Sequence, residues 1–153
     1  MVFPSTFYET SLVGIGQAYF KEYDRRKVEE EKKWLEIPQE KRPATLKLTA
    51  GVTNNLNRSE DAFNQYIKLT ESKAVEGDDA LARGRILFGY TYFFLARIHT
   101  DKEKWKEVFA VLEEFEENYK DKPDLVLTAV FLKLRAYYKL KRARSVEDML
   151  RIT

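Results

Sequence analysis

Apolar residues recur at spacings of three and four along almost the whole chain, and runs that alternate apolar with polar are scarce. That period is the period of a helix face, so the pattern predicts an all-α protein. Gly numbers only 6 and Pro only 4, too few for the turn-rich loops of an all-β sandwich. With 44% apolar and 34% charged residues, the chain can bury a core and solvate what remains. Its 153 residues predict a single domain.

Helix breakers and caps divide the pattern into about eight helices. The first is expected from Ser5 or Thr6 to Lys21, and the second from Asp24 to Glu36, ahead of a loop at Pro38 to Pro43. A third covers 44–56. Asn57 and Ser59 are read as a break and a cap before a fourth, which reaches Ala74. Gly77-Asp78 precedes a fifth over 79–99, and Thr100 or Asp101 caps a sixth over 102–119. A seventh follows Asp124 to Leu140, and an eighth begins near Ala143. Short helices joined by short loops make either a bundle or a solenoid, and internal repetition separates the two.

A spaced set does recur. Gly16, Tyr19 and Val28 are followed 34 residues on by Ala50, Thr53 and Ala62. Ala96, His99 and Val108 come 46 later, and Leu134, Tyr137 and Val146 another 38 later. Trp105, Leu112 and Phe115 support the third set, as Tyr66 and Leu69 support the second. This resembles the tetratricopeptide repeat (TPR), a helix-turn-helix unit of 34 residues. Phe3-Pro4-Ser5 through Tyr19-Phe20, and Phe115 to Tyr119 with Ala136 to Leu140, resemble the divergent bacterial repeats of Tol-Pal accessory and outer-membrane-assembly lipoproteins.

The resemblance implies a right-handed TPR-like superhelix, an α-solenoid of about four helix-turn-helix pairs in one domain. The pairs would be residues 5–37, 43–75, 78–120 and 123–153. Unit two departs from the pattern, with Thr49 and Thr53 where Leu and Tyr are usual, and unit four has Lys133 at a usual Leu position. Phe3-Pro4 looks like a junction between units, so the chain is expected to be a segment of a longer one. A bacterial envelope setting is implied if a leader was removed, and a cytoplasmic one otherwise.

Chemistry-bearing residues are few. Cys is absent, which excludes thiol catalysis, disulfides and Cys-based zinc sites. His99 is the sole histidine, so a multi-histidine metal site is excluded too. Gly14-Ile15-Gly16 lacks the third glycine and the preceding strand of a dinucleotide site. Glu29-Glu30-Glu31, and Glu113-Glu114 with Glu116-Glu117, read as solvated helix faces with Lys partners nearby. No catalytic residue, cofactor or metal is expected. No stretch approaches the roughly 18 apolar residues of a membrane helix. Met1-Val2-Phe3-Pro4-Ser5 lacks the basic and apolar regions of a secretory leader.

The expected function is therefore non-catalytic: a protein-protein interaction scaffold that helps assemble a larger complex. By TPR analogy its concave groove would hold Gln17, Phe20, Lys47, Asn54, Asn55, Tyr90, Phe93, Arg97, Phe131, Arg135, Tyr138 and Lys139. The last helix, with Val146, Met149 and Leu150, has no polar cap and is expected to support self-association. Two alternatives stand beside this. Arg135, Lys139, Lys141, Arg142 and Arg144 cluster near Tyr137 and Tyr138, a composition that can hold nucleic acid. A net charge of +2 gives such binding no support from the molecule as a whole. The other alternative is a helical accessory subunit of an enzyme complex.

Overall fold

The computed structural model describes the backbone of residues 5–75 and 85–152, and the side chains of 8–71, 87–142 and 144. The regular structure of the described residues is all helical, with no strand among them. The chain packs as two compact units, Met1–Leu81 and Ala82–Thr153, where the sequence pattern predicts one domain.

The first unit is an antiparallel hairpin of α1 (Ser5–Glu36) and α2 (Ala50–Val75). The 32 residues of α1 span about 48 Å. In α1, Leu12, Val13, Phe20 and Tyr23 are buried; in α2, Val52, Leu56, Ala62, Phe63 and Tyr66 are. Ala62 apart, the α2 set extended by Ser59 and Thr70 runs at alternating steps of four and three, the spacing that keeps one stripe facing a partner helix. Cross-contacts confirm the antiparallel register. Gly16 meets Phe63 and Ser59, Tyr19 lies under Arg58, and Glu30 reaches Thr49. A Cβ on Gly16 would stand 2.7 Å from the Phe63 ring, so only glycine admits that ring at this spacing.

Both ends of the intervening loop are held by side chains. Arg42 donates to the carbonyls of Leu35 and Ile37, closing the carboxyl end of α1, and stacks over Trp34 at 5.1 Å. At the other end, the Glu30 carboxylate accepts from the Thr49 amide at 3.1 Å and the Thr49 hydroxyl at 2.5 Å. These two bonds hold the residue that opens α2. They also hold the Glu30 carboxyl below its ordinary value.

The second unit contains α3 (Arg85–Asp101), α4 (Trp105–Val111), α5 (Phe115–Asn118) and α6 (Pro123–Ile152). Its core joins Ala96 of α3 and Val108 of α4 with Leu112, Phe115 and Tyr119, closed by Ala129, Leu132 and Ala136 of α6. The turn from α3 to α4 is a left-handed helix end. Glu103 adopts φ 58°, the Lys104 amide donates to the His99 carbonyl at 2.8 Å, and the Glu103 amide donates to Thr100 at 3.1 Å. Gly89 repeats the role of Gly16, since a Cβ there would stand 2.7 Å from the Tyr119 ring.

Several expected helix ends are absent. No break separates residues 21 and 24, 56 and 59, or 140 and 143, and residues 44–49 are not helical. Within the expected pairs 5–37 and 123–153, residues 5–36 and 123–152 are each one continuous helix, and 50–75 is a third. The misleading signals were polar residues suited to caps. Ser59 lies instead on the hairpin seam, where its hydroxyl donates to the Gly16 carbonyl at 2.6 Å. The expected sixth helix is in turn divided, into α4 and α5. Residues 85–119 thus hold three helices, α3, α4 and α5, where one helix pair is expected. The break at Gly77-Asp78 and the junction at Phe3-Pro4 lie outside the described residues.

Candidate functional site

α6 turns two alanines and a leucine to the core and leaves several large side chains exposed. Ala129, Leu132 and Ala136 recur at steps of three and four on the face turned to the core. Alanine at two of these positions lets α6 approach its neighbours closely. The larger side chains are thereby left outside. Leu127 is 71% exposed, Phe131 64%, Leu134 62% and Tyr138 62%. Their steps of four, three and four form a continuous stripe, with Tyr137 exposed on its flank. From Leu127 to Tyr138 the stripe is about 17 Å long.

The orientation of α6 is fixed by a charged pair as well as by the alanines. Lys133 donates to both Glu116 carboxylate oxygens, at 2.8 and 2.9 Å, joining α5 to α6 across a half-buried surface. Burial pushes the Glu116 carboxyl up. The Lys133 hydrogen bond, a bond from the backbone of Glu116 itself and the Lys133 charge outweigh it and hold the group below its ordinary value. The Lys at a position where the repeat expects Leu thus has a partner.

The stripe is bracketed by opposite charges. Exposed Asp121 and Asp124 stand at its amino end, and exposed Lys141, Arg142 and Arg144 at its carboxyl end. Beside the amino end lies a cavity of about 380 Å³, lined by Tyr90, Tyr119, Lys122, Pro123 and Leu125 with the two aspartates. Its lining contains phenols, a lysine and carboxylates, and holds no hydroxyl beside an imidazole that acyl transfer would use. No cluster of metal-ligating side chains occurs among the described residues. No helix among them is long and apolar enough to cross a membrane.

The expected groove residues are divided between the two units. Gln17, Phe20, Lys47, Asn54 and Asn55 belong to the first unit; the other seven belong to the second. Phe20 and Asn55 are buried, because both face the hairpin seam, and so are corrected from groove to core. Lys47 lies in the interhelical loop, Asn54 is exposed and Gln17 half-buried on their helices. On α3, Tyr90 is exposed, while Phe93 and Arg97 are half-buried, with the guanidinium over the Phe93 ring at 5.9 Å. On α6, Phe131, Arg135 and Tyr138 do share the outer face; Lys139 is half-buried. The backbone of Val146, Met149 and Leu150 continues α6, and their side chains lie outside the described residues.

Leu127 and Leu134 are the residues of the exposed stripe that the sequence reading missed, while Tyr137 was placed as a site residue only in the basic and aromatic cluster. The repeat frame turned Leu134 and Tyr137 inward, and the alanines now occupy that side. The signal was present in the four-three-four spacing from Leu127 to Tyr138. No significant match to the chain is found among protein-family models, curated proteins or solved structures.

Proposed function

We propose that the chain is a non-catalytic protein-interaction scaffold that helps assemble a larger complex, with the outer face of α6 as its docking surface. The exposed stripe from Leu127 to Tyr138 carries this reading. Large apolar side chains in unbroken helical register are costly to leave in water, and such a patch marks a docking surface. Anchors at these steps are also how one helix seats against a partner helix or groove. The TPR resemblance contributes to this reading over residues 85–119 alone, where buried Ala96 and Val108 stand at the positions the repeat reserves for small residues.

The test is capture on immobilised chain, with Phe131→Glu as the comparison. The reading expects protein capture that survives high salt and is lost in the variant. Protein capture that Phe131→Glu leaves unchanged would refute α6 as the surface.

Nucleic-acid binding is the second reading, and one observation favours it. Tyr137 and Tyr138 are both exposed, beside exposed Arg135, Lys141 and Arg142. Exposed rings among cations can stack bases while the cations neutralise phosphates. A generic single strand would then be retained, and its affinity would fall steeply with salt.

A further inference from the structure

We infer that the occupant of the α6 face is a second copy of this chain, packed antiparallel about a two-fold axis midway between Phe131 and Leu134. The inference rests on the docking role proposed above and names the partner. Along the stripe the residues in register are Asp124, Leu127, Phe131, Leu134, Tyr138 and Lys141. Acid stands at one end, base at the other, and four large apolar side chains between them.

A two-fold axis at the centre sets Phe131 against Leu134 of the second copy, Leu127 against Tyr138, and Asp124 against Lys141. Every layer is then apolar on apolar or acid on base, and each occurs twice. Steps of four and three keep this contact continuous along two crossing helices. A parallel pair in the same register would set Asp124 against Asp124 and Lys141 against Lys141, repelling at both ends. Antiparallel packing also places opposite ends of the two helix dipoles together. A face that complements itself in shape and charge is what a two-fold interface requires.

Sedimentation equilibrium across a dilution series tests this on the intact chain. The wild type should pass from dimer to monomer, and Phe131→Glu should be monomeric throughout with its helical circular dichroism unchanged. Lys141→Glu or Asp124→Lys alone should weaken the dimer roughly threefold to tenfold, and the two together should restore it. A wild type that is monomeric throughout overturns the inference, as does a dimer indifferent to Phe131→Glu. A dimer that the double variant leaves weaker than either single one overturns the antiparallel arrangement. A monomer that still captures another protein through Phe131 overturns the second copy and leaves the docking role standing. A monomer that retains only nucleic acid, in a salt-sensitive way, overturns both.

Discussion

In the first unit the large side chains lie on the buried seam. Phe20, Tyr23, Phe63 and Tyr66 fill the space between α1 and α2, and Gly16 makes room for the Phe63 ring. α6 in the second unit reverses the distribution, with alanines inward and Leu127, Phe131, Leu134 and Tyr138 outward. Among the described residues of the first unit, the exposed large ones, Tyr8, Ile15, Val28 and Leu35, stand seven or more positions apart and form no continuous stripe. Size therefore does not decide which side of a helix is buried. A hairpin with one partner puts its bulk on the seam. A helix that must pack closely on several short ones turns its small residues inward, and its bulk is free for something else.

The widest separation between the two regions should come from truncating one large side chain in each. Phe63→Ala empties a fully buried site and should cost about 3–5 kcal/mol, read by urea denaturation. Leu134→Ala, made on the outer face and measured at dilutions where the chain is monomeric, should stay within about 0.5 kcal/mol. Similar costs for the two would break the comparison, because Leu134 would then be a core residue.

The glycines offer a smaller test in which both regions should agree. Gly to Ala in a helix interior ordinarily stabilises by about 0.5–1 kcal/mol. At Gly16 and at Gly89 the added methyl meets a buried aromatic ring, Phe63 or Tyr119. Overpacking should win, with net losses of about 1–3 kcal/mol in each variant. A gain at either position would show that its ring can swing aside.

Helical class was legible because the apolar period runs through almost every segment. Helix ends were not, because the residues that cap helices also serve inside them. Ser59 looks like a cap in sequence and is a buried donor to a carbonyl 43 residues away. The start of α2 depends on Glu30 holding Thr49 across the hairpin, a contact that local sequence does not display. Of the expected groove residues, Phe131, Arg135 and Tyr138 lie together on the exposed face of α6. Leu127 and Leu134 were missed because leucine in a helix reads as core until the alanines opposite are seen to take that place.

The turn ahead of α4 predicts a gain, confined to the second unit. Glu103 pays for its left-handed backbone with steric strain that glycine avoids. Glu103→Gly should raise stability by about 1 kcal/mol, read as a higher urea midpoint. Loss of stability would show that the Glu103 side chain supports the turn by more than its backbone costs.

Acid should produce the smallest effect, and it can be traced to two carboxylates in the first unit and one in the second. In the first, hydrogen bonds from Arg25 and Arg26 lower the Glu22 carboxyl to about 2, and Thr49 lowers Glu30. In the second, Lys133 prevails over burial to lower Glu116. A carboxyl lowered by folding contributes its stability fully above the ordinary value of 4.5, and that contribution is lost as pH falls through the folded value. Stability should therefore decline from about pH 5 downward, with the Glu22 share persisting to about pH 2. Glu22 is held by exposed arginines, so salt should screen its contribution strongly, whereas Glu30 is held by the uncharged Thr49 and should respond less. The half-buried Glu116 pair should resist salt better. Thermal melts of Glu22→Gln and Glu116→Gln at neutral and acid pH, with and without salt, measure this directly. Glu22→Gln should flatten the acid loss at low salt and change little at high salt, while Glu116→Gln should remove a part that persists at high salt. The reverse salt dependence would mean that the α5–α6 pair is as solvated as the hairpin's surface pairs, and that the alanine contacts alone orient α6.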